Sequence, residues 1–231
     1  MERFAVPQAA AKLDRTATGK AEGRGSSSRN VAILGRKGQA TKRSLMDAAS
    51  RLLEKTSPIN LTAAAISKEA GTSPATFYVY FDNVEDILWA LCSEISHVTS
   101  DLFVHDRFLR DDDRLDEDAL QFVRGYCDIW SKDGLLLLYR NMESDRGNRR
   151  FNQLVLKIGL PILQGLTSRI VEAAPPGRPV TRSEANAEAV VFIAAIDRIA
   201  AALHLWPEDS LSTDTLLRAE ARVLVRMLRR A

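Results

Sequence analysis

An all-α fold is predicted by three features of this 231-residue chain. Apolar residues recur at the i, i+3, i+4 spacing of a helix face along most of its length. Alternating apolar and polar runs of the kind that build strands are nearly absent. Ser, Thr, Asn, Gly and Pro stand at the edges of the periodic stretches, where helices start and stop. The length suffices for one small module and one larger helical body, each with its own core.

Residues 1–38 come first and lack sustained apolar periodicity. They include Gly23-Arg24-Gly25-Ser26-Ser27-Ser28 and bury too little to offset the entropy of ordering, so they read as a mobile arm. The arm is basic: Arg3, Lys12, Arg15, Lys20, Arg24, Arg29, Arg36 and Lys37 outnumber Glu2, Asp14 and Glu22. It is either a solvated tail or an arm that follows phosphates.

From Gln39, the residues Leu45, Ala48, Ala49, Leu52 and Leu53 share a face and predict a first helix that ends before Ser57-Pro58. A short helix follows over 63–70, with Thr62 as N-cap. Gly71 can take the left-handed conformation that stops it, and Ser73-Pro74 is a capping residue followed by a first-turn proline. The product is helix, tight turn, helix. Ile66, Ala70, Phe77 and Phe81 are spaced to close a small core against the first helix. Thr76, Val79 and Tyr80 then lie outward, flanked by Ala75 and Tyr78, with Thr72 and Ser73 at the turn. Small and hydroxylated side chains on a short helix suit a major groove, where hydroxyls meet base edges or phosphates and methyls meet thymine. The plainer alternative is that Tyr78 and Tyr80 cover the module's own core.

Asn83 is placed to cap a long helix through Val84, Ile87, Leu88, Leu91 and Ile95. An acidic stretch around Asp106, Asp111, Asp112, Asp113, Asp116, Glu117 and Asp118 separates it from helices predicted over 116–132, 134–145 and 148–173. Pro161 is expected to bend the last of these, and Pro175-Pro176-Gly177 ends it. Two further helices, 182–205 and 212–229, are divided by Trp206-Pro207.

The run Thr62-Ala-Ala-Ala-Ile-Ser-Lys-Glu-Ala-Gly-Thr-Ser-Pro-Ala-Thr-Phe-Tyr-Val-Tyr-Phe81 resembles the DNA-binding motif of the tetracycline-repressor-like (TetR/AcrR) family. The likeness extends back over the first helix and forward through Leu88, about fifty residues in all. It implies a three-helix helix-turn-helix head over 39–85 and a larger helical effector-binding and dimerisation body over 86–231. By resemblance Thr76 touches bases, Tyr78 and Tyr80 touch phosphates, and Thr62, Lys42 and Arg43 add backbone contacts. Val84 stands where the family usually carries a lysine that reaches a phosphate. The resemblance further implies a homodimer on a near-palindromic double-stranded operator, and repression as the commoner behaviour.

The dimer expectation has support in the residues. The segment Ala189-Val190-Val191-Phe192-Ile193-Ala194-Ala195-Ile196 is apolar on nearly all sides, and Leu216, Val223, Leu224, Met227 and Leu228 form a stripe on the last helix. Either they pack within one subunit, or the last two helices form a four-helix interface between two. Arg218, Arg222, Arg226 and Arg229 make the opposite, solvated stripe. For an effector, Trp89, Phe122, Tyr126, Trp130, Tyr139, Met142, Leu160 and Phe192, with Asn141 and Gln164 as polar handles, mark a neighbourhood suited to a small apolar ligand. The bland reading of each is plain core.

Other classes find less support. Cys92 and Cys127 stand singly in apolar stretches and read as reduced core residues of a cytoplasmic protein. No stretch reads as a membrane span or leader. His97, Asp101 and His105 share a face only if their helix continues, the single hint of a metal-responsive regulator. No phosphate loop, nucleophile elbow or paired-carboxylate pattern suggests an enzyme, and no cofactor is implied. A ligand-independent architectural DNA-binding protein is the more serious alternative. The net charge of +2 decides nothing, but a basic end and an acidic waist point a polyanion to one end of the chain.

Overall fold

The computed structural model describes residues 35–103, Leu109, 113–203 and 212–229, with backbone only for 97–103. The predicted arm up to Leu34, Asp106, Asp111 and Asp112 of the acidic stretch, the His97-Asp101-His105 side chains and Trp206-Pro207 lie outside the described residues. Among the described residues there are eight α-helices and no strand.

The head is built from α1 (Arg36–Leu53), a 3-10 turn (Pro58–Asn60), α2 (Ala63–Glu69) and α3 (Pro74–Tyr80). α1 begins three residues before the expected start, at Arg36. Each boundary is set by a side chain that meets an orphan amide. Thr62 Oγ1 accepts from Ala65 N at 3.2 Å, Ser73 Oγ from Thr76 N at 3.2 Å, and Asn83 Oδ1 from Asp86 N at 3.0 Å. Gly71 has φ +68°, and Thr72 N donates to Ser67 O at 2.8 Å, so the chain leaves α2 and enters α3 four residues later.

α4 (Val84–Phe103) runs from the head into the body. Its Ile87, Leu88, Leu91 and Cys92 join Leu45, Ala48, Ile66, Phe77 and Phe81 in one core, to which Leu136, Phe151 and Leu154 are added from two later helices. The sequence-derived boundary between 85 and 86 therefore falls in the first turn of a helix that serves the head's core.

The body comprises α5 (Leu115–Asp145), α6 (Arg149–Glu172), α7 (Arg182–Ala202) and α8 (Thr213–Leu228) around a second core. α5 joins the two helices expected over 116–132 and 134–145. Only Asp133, with φ −121° and ψ 19°, departs from helical geometry, so one residue kinks a helix instead of separating two. α6 runs from Arg149 to Glu172 with Pro161 inside it. Contrary to expectation, α6 is also long and apolar enough to cross a bilayer by length and composition. Its Phe151, Leu154, Ile158, Ile162, Leu166 and Ile170 are instead buried against neighbouring helices, as befits a core helix.

On α8, Glu220 is 6% exposed and neither of its carboxylate oxygens has a hydrogen-bond partner among the described residues. Burial pushes its carboxyl up from 4.5 to about 7. A raised acid favours the protonated fold: the stabilisation is complete below the unfolded value and is lost as pH rises through about 7. Glu220→Gln is therefore expected to raise stability at pH 8.5 by on the order of 2 kcal/mol and to change it little at pH 4.5. Urea melts at the two pH values check this. Equal effects at both would show that Glu220 does not titrate between them.

Candidate nucleic-acid interface and effector cavity

The head's outer face is a consequence of its inner one. Phe77 is fully buried, with its ring centroid 5.7 Å from that of Phe81, and this pins α3 with one side inward. Helical geometry then turns Ala75, Tyr78 and Val79 outward. Tyr78 is 59% and Val79 62% exposed, a large apolar and hydroxylated surface on a helix of seven residues. Thr76 and Tyr80 are half-buried at the edges of this face, and Tyr80 packs against the head's core. Thr76 Oγ1 lies 3.0 Å from Ser73 Oγ, so its hydroxyl is shared with the cap while its methyl remains for a partner. Ser73 is exposed and Thr72 half-buried at the turn, and the exposed Thr62 caps α2.

The two predicted cations of α1 behave differently. Lys42 Nζ sits 5.5 Å from the centre of the Phe81 ring. Arg43 is committed inside the molecule: Nη1 lies 2.9 Å from both oxygens of Glu94 on α4, and Nε donates to Asp47 at 2.8 Å. The hydrogen bond to Glu94 leads the causes that hold its pKa above the usual value. Arg43 Nη2 and the exposed edge of the guanidinium are what it can offer a phosphate while Glu94 stays in place. Val84 is half-buried against the head's core.

The predicted effector residues are not brought together. Trp89 stacks under the Arg150 guanidinium at 4.8 Å and donates to Arg150 O at 3.4 Å. Tyr139 meets Phe151 edge-on in the head-side core. Phe122 lies between Tyr126 and Phe192 in the body core. Met142, Leu160 and Gln164 are exposed.

Two cavities border the helices of the body. An open groove of about 1800 Å³ is walled by α1 and α4 on one side and by α5 and the adjoining ends of α7 and α8 on the other, with Leu53, Leu91, Ile95, Trp130, Leu136 and Leu138 among its apolar residues. A small pocket of about 20 Å³ lies beside it, lined by Tyr126, Ile129, Trp130, Leu137, Arg140 and Ile158. Ile129 and Trp130 border both. Of the predicted effector residues, only Tyr126 and Trp130 line either.

The sequence reading named Tyr126 and Asn141 but missed Arg140 and Asp197, which join them in a partly buried polar network beside the small pocket. Asp197 on α7 accepts from Tyr126 Oη at 2.7 Å and from Asn141 Nδ2 at 3.2 Å. Arg140, 6% exposed, donates through Nε and Nη2 to Asn141 Oδ1 at 3.1 and 2.9 Å. Burial lowers its pKa and raises that of Tyr126. A signal was present: Arg140 falls one helical turn beyond Leu136 and Leu137, on the apolar face of α5.

The last helices also divide differently from the expected stripes. Ala189, Phe192 and Ile196 of α7, and Leu224 and Leu228 of α8, are buried within the subunit. The outward residues are Val190 at 47%, Val191 at 70% and Val223 at 49% exposure, with Ala187, Ala194 and Ala195 beside them. The predicted arginine stripe of α8 is exposed.

Residues 45–91 match the family described as bacterial regulatory proteins, tetR family. No curated protein matches the chain. Among solved structures, a tetR-family transcriptional regulator from Streptomyces coelicolor is 20% identical, with TM-score 0.64 over 84% of this chain and 82% of that one. The fatty acid degradation regulator FadR from Bacillus halodurans is 16% identical, with TM-score 0.61 over 86% and 99%. FadR from Bacillus subtilis, solved in complex with stearoyl-CoA, is 18% identical, with TM-score 0.57 over 79% and 97%. At these identities the likeness is one of fold. Residues 45–91 thus match the tetR family over the helix-turn-helix head, and the all-helical body behind it is similar in fold to tetR-family regulators.

Proposed function

We propose that the chain is a homodimeric repressor, acting in the cytoplasm, that a small, mainly apolar effector releases from a near-palindromic operator. The observation that carries the reading is the outward face of α3: a short helix locked by Phe77 yet presenting Tyr78 and Val79 to solvent. In this reading α3 enters the major groove. Ala75, Thr76 and Val79 meet base edges, while Tyr78, Tyr80, Thr62, Thr72, Ser73 and Lys42 meet the backbone. Arg43 joins them through Nη2, with Glu94 and Asp47 holding its other nitrogens. Dimerisation through the outward faces of α7 and α8 sets two heads about one DNA turn apart or somewhat more.

The large groove supports the effector half of the reading. Its walls belong to the head on one side and to α5 on the other, so an occupant pushes on α1 and α4 directly. A protein of similar fold, FadR from Bacillus subtilis, was solved in complex with stearoyl-CoA, which supports an effector with an apolar chain. By linkage, the effector and the operator must weaken each other's binding by the same factor.

Thr76→Ala and Tyr78→Phe, measured against a panel of operator variants, test the reading. Thr76→Ala is expected to relax discrimination at one base pair by about 1–3 kcal/mol. Tyr78→Phe is expected to weaken binding to all variants alike, because a phosphate contact carries no sequence information directly. A uniform loss for Thr76→Ala would remove it from the base-reading set. Binding that no member of an effector library alters would favour the architectural alternative.

A further inference from the structure

A buried guanidinium normally faces a carboxylate. Taking its charge out of water costs several kcal/mol, and only an anion at hydrogen-bond distance offsets the loss. Arg140 is 6% exposed, yet both of its hydrogen bonds go to one neutral acceptor, Asn141 Oδ1. The nearby carboxylate, Asp197, is turned to other partners, with one oxygen on Tyr126 Oη and the other on Asn141 Nδ2. That arrangement orients the Asn141 amide, whose nitrogen is held by Asp197 so that its oxygen meets Arg140. Two of the five guanidinium N–H groups are used, and Arg140 is the one charged residue lining a small pocket otherwise formed by Tyr126, Ile129, Trp130, Leu137 and Ile158.

We propose that Arg140 is the specificity residue of the effector site and that it reads a carboxylate: the effector is an apolar acid whose carboxylate docks on this guanidinium. The inference rests on the effector reading above and narrows it to a chemical class. Size supports a carboxylate over a phosphate. About 20 Å³ holds one water-sized group, so one carboxylate oxygen enters the pocket as it stands and the second needs a small repacking of the lining, whereas the four oxygens of a phosphate need a much larger one. The planar fork of arginine matches the two oxygens of a carboxylate. Among the described residues the large groove offers room for the body of the acid, and it shares Ile129 and Trp130 with the small pocket. The path between the two is a repacking of those side chains, with Trp130 as its reporter.

The test uses the full chain and matched pairs of straight-chain acids and alcohols from four to sixteen carbons, decanoate and 1-decanol among them. Binding is followed by tryptophan fluorescence and thermal shift. The protein is expected to bind the best acid at least tenfold more tightly than its alcohol. Arg140→Met is expected to remove that preference, and Arg140→Lys to keep part of it. Without ligand, Arg140→Met should melt close to the parent, since removing an unpaired buried charge offsets the donors that Asn141 Oδ1 loses. A purely structural arginine gives the opposite pattern, a melting point lowered by several degrees with the preference intact in Arg140→Lys and in whatever Arg140→Met remains folded. Equal affinity for acid and alcohol in the parent overturns the carboxylate while leaving an apolar effector standing. Failure of every acid and alcohol to bind overturns both.

Discussion

Phe77→Ala is expected to abolish operator binding and to lower the melting temperature by about 10 °C. Phe77 is fully buried and is among the largest side chains in the head, touching Phe81 and closing α3 onto α1 and α2. Truncating a buried phenylalanine costs about 3–5 kcal/mol through lost transfer energy and the cavity left behind. For a chain of this length each kcal/mol corresponds to roughly 2–4 °C. α3 has only seven residues and no independent stability, so its outward face is lost together with its anchor. The body core around Phe122, Leu166, Phe192 and Leu224 contains no residue of α1, α2 or α3. Circular dichroism should therefore keep most of its helical signal at 25 °C while operator binding disappears. An unchanged melting point with normal operator affinity would mean that α3 is not held by Phe77.

Val191→Glu is expected to leave the chain monomeric and to reduce operator affinity by about 10²–10⁴-fold, the range that joining two binding modules supplies. Val191 is 70% exposed at the centre of a stripe in which Ala187, Val190, Ala194 and Ala195 recur at helical spacing. In a two-fold interface such a residue lies near its own copy, so the substitution buries two like charges without partners. The monomer itself should be unharmed, because the side chain makes no part of the body core. Light scattering checks the first half, with the parent at twice the 25.6 kDa chain mass and the variant at that mass. A variant that stays dimeric would move the interface away from this face of α7.

Much of the head could be read before any coordinates. Thr62, Gly71, Ser73, Pro74 and Asn83 act within a few residues of themselves, by capping an amide or permitting a positive φ, so their roles are local and visible in the chain. The Phe77 and Phe81 spacing likewise names the inward side of α3, and its outward side follows by exclusion. The break in α5 was legible as a position but not as a kink. Asp133-Gly134 interrupts the pattern, yet whether one residue or several leave the helix depends on what packs across it.

In the body the sequence alone determined five helical stretches, two of which fold as the single helix α5, because 3.6-residue periodicity is a local property. Which faces meet was decided only by tertiary structure, since burial of a residue depends on its neighbours in space. Hence Leu224 and Val223, adjacent in one stripe, part company: the first is fully buried against the body core and the second is 49% exposed. Leu160 and Met142 point outward, although their composition suits a pocket. Arg140 and Asp197, 57 residues apart with one on α5 and one on α7, acquire meaning only when the fold joins them through Asn141. A charge on an apolar stripe is visible in sequence. Whether it meets a carboxylate, a neutral amide or a small pocket is a question of distance, and only folding sets distances.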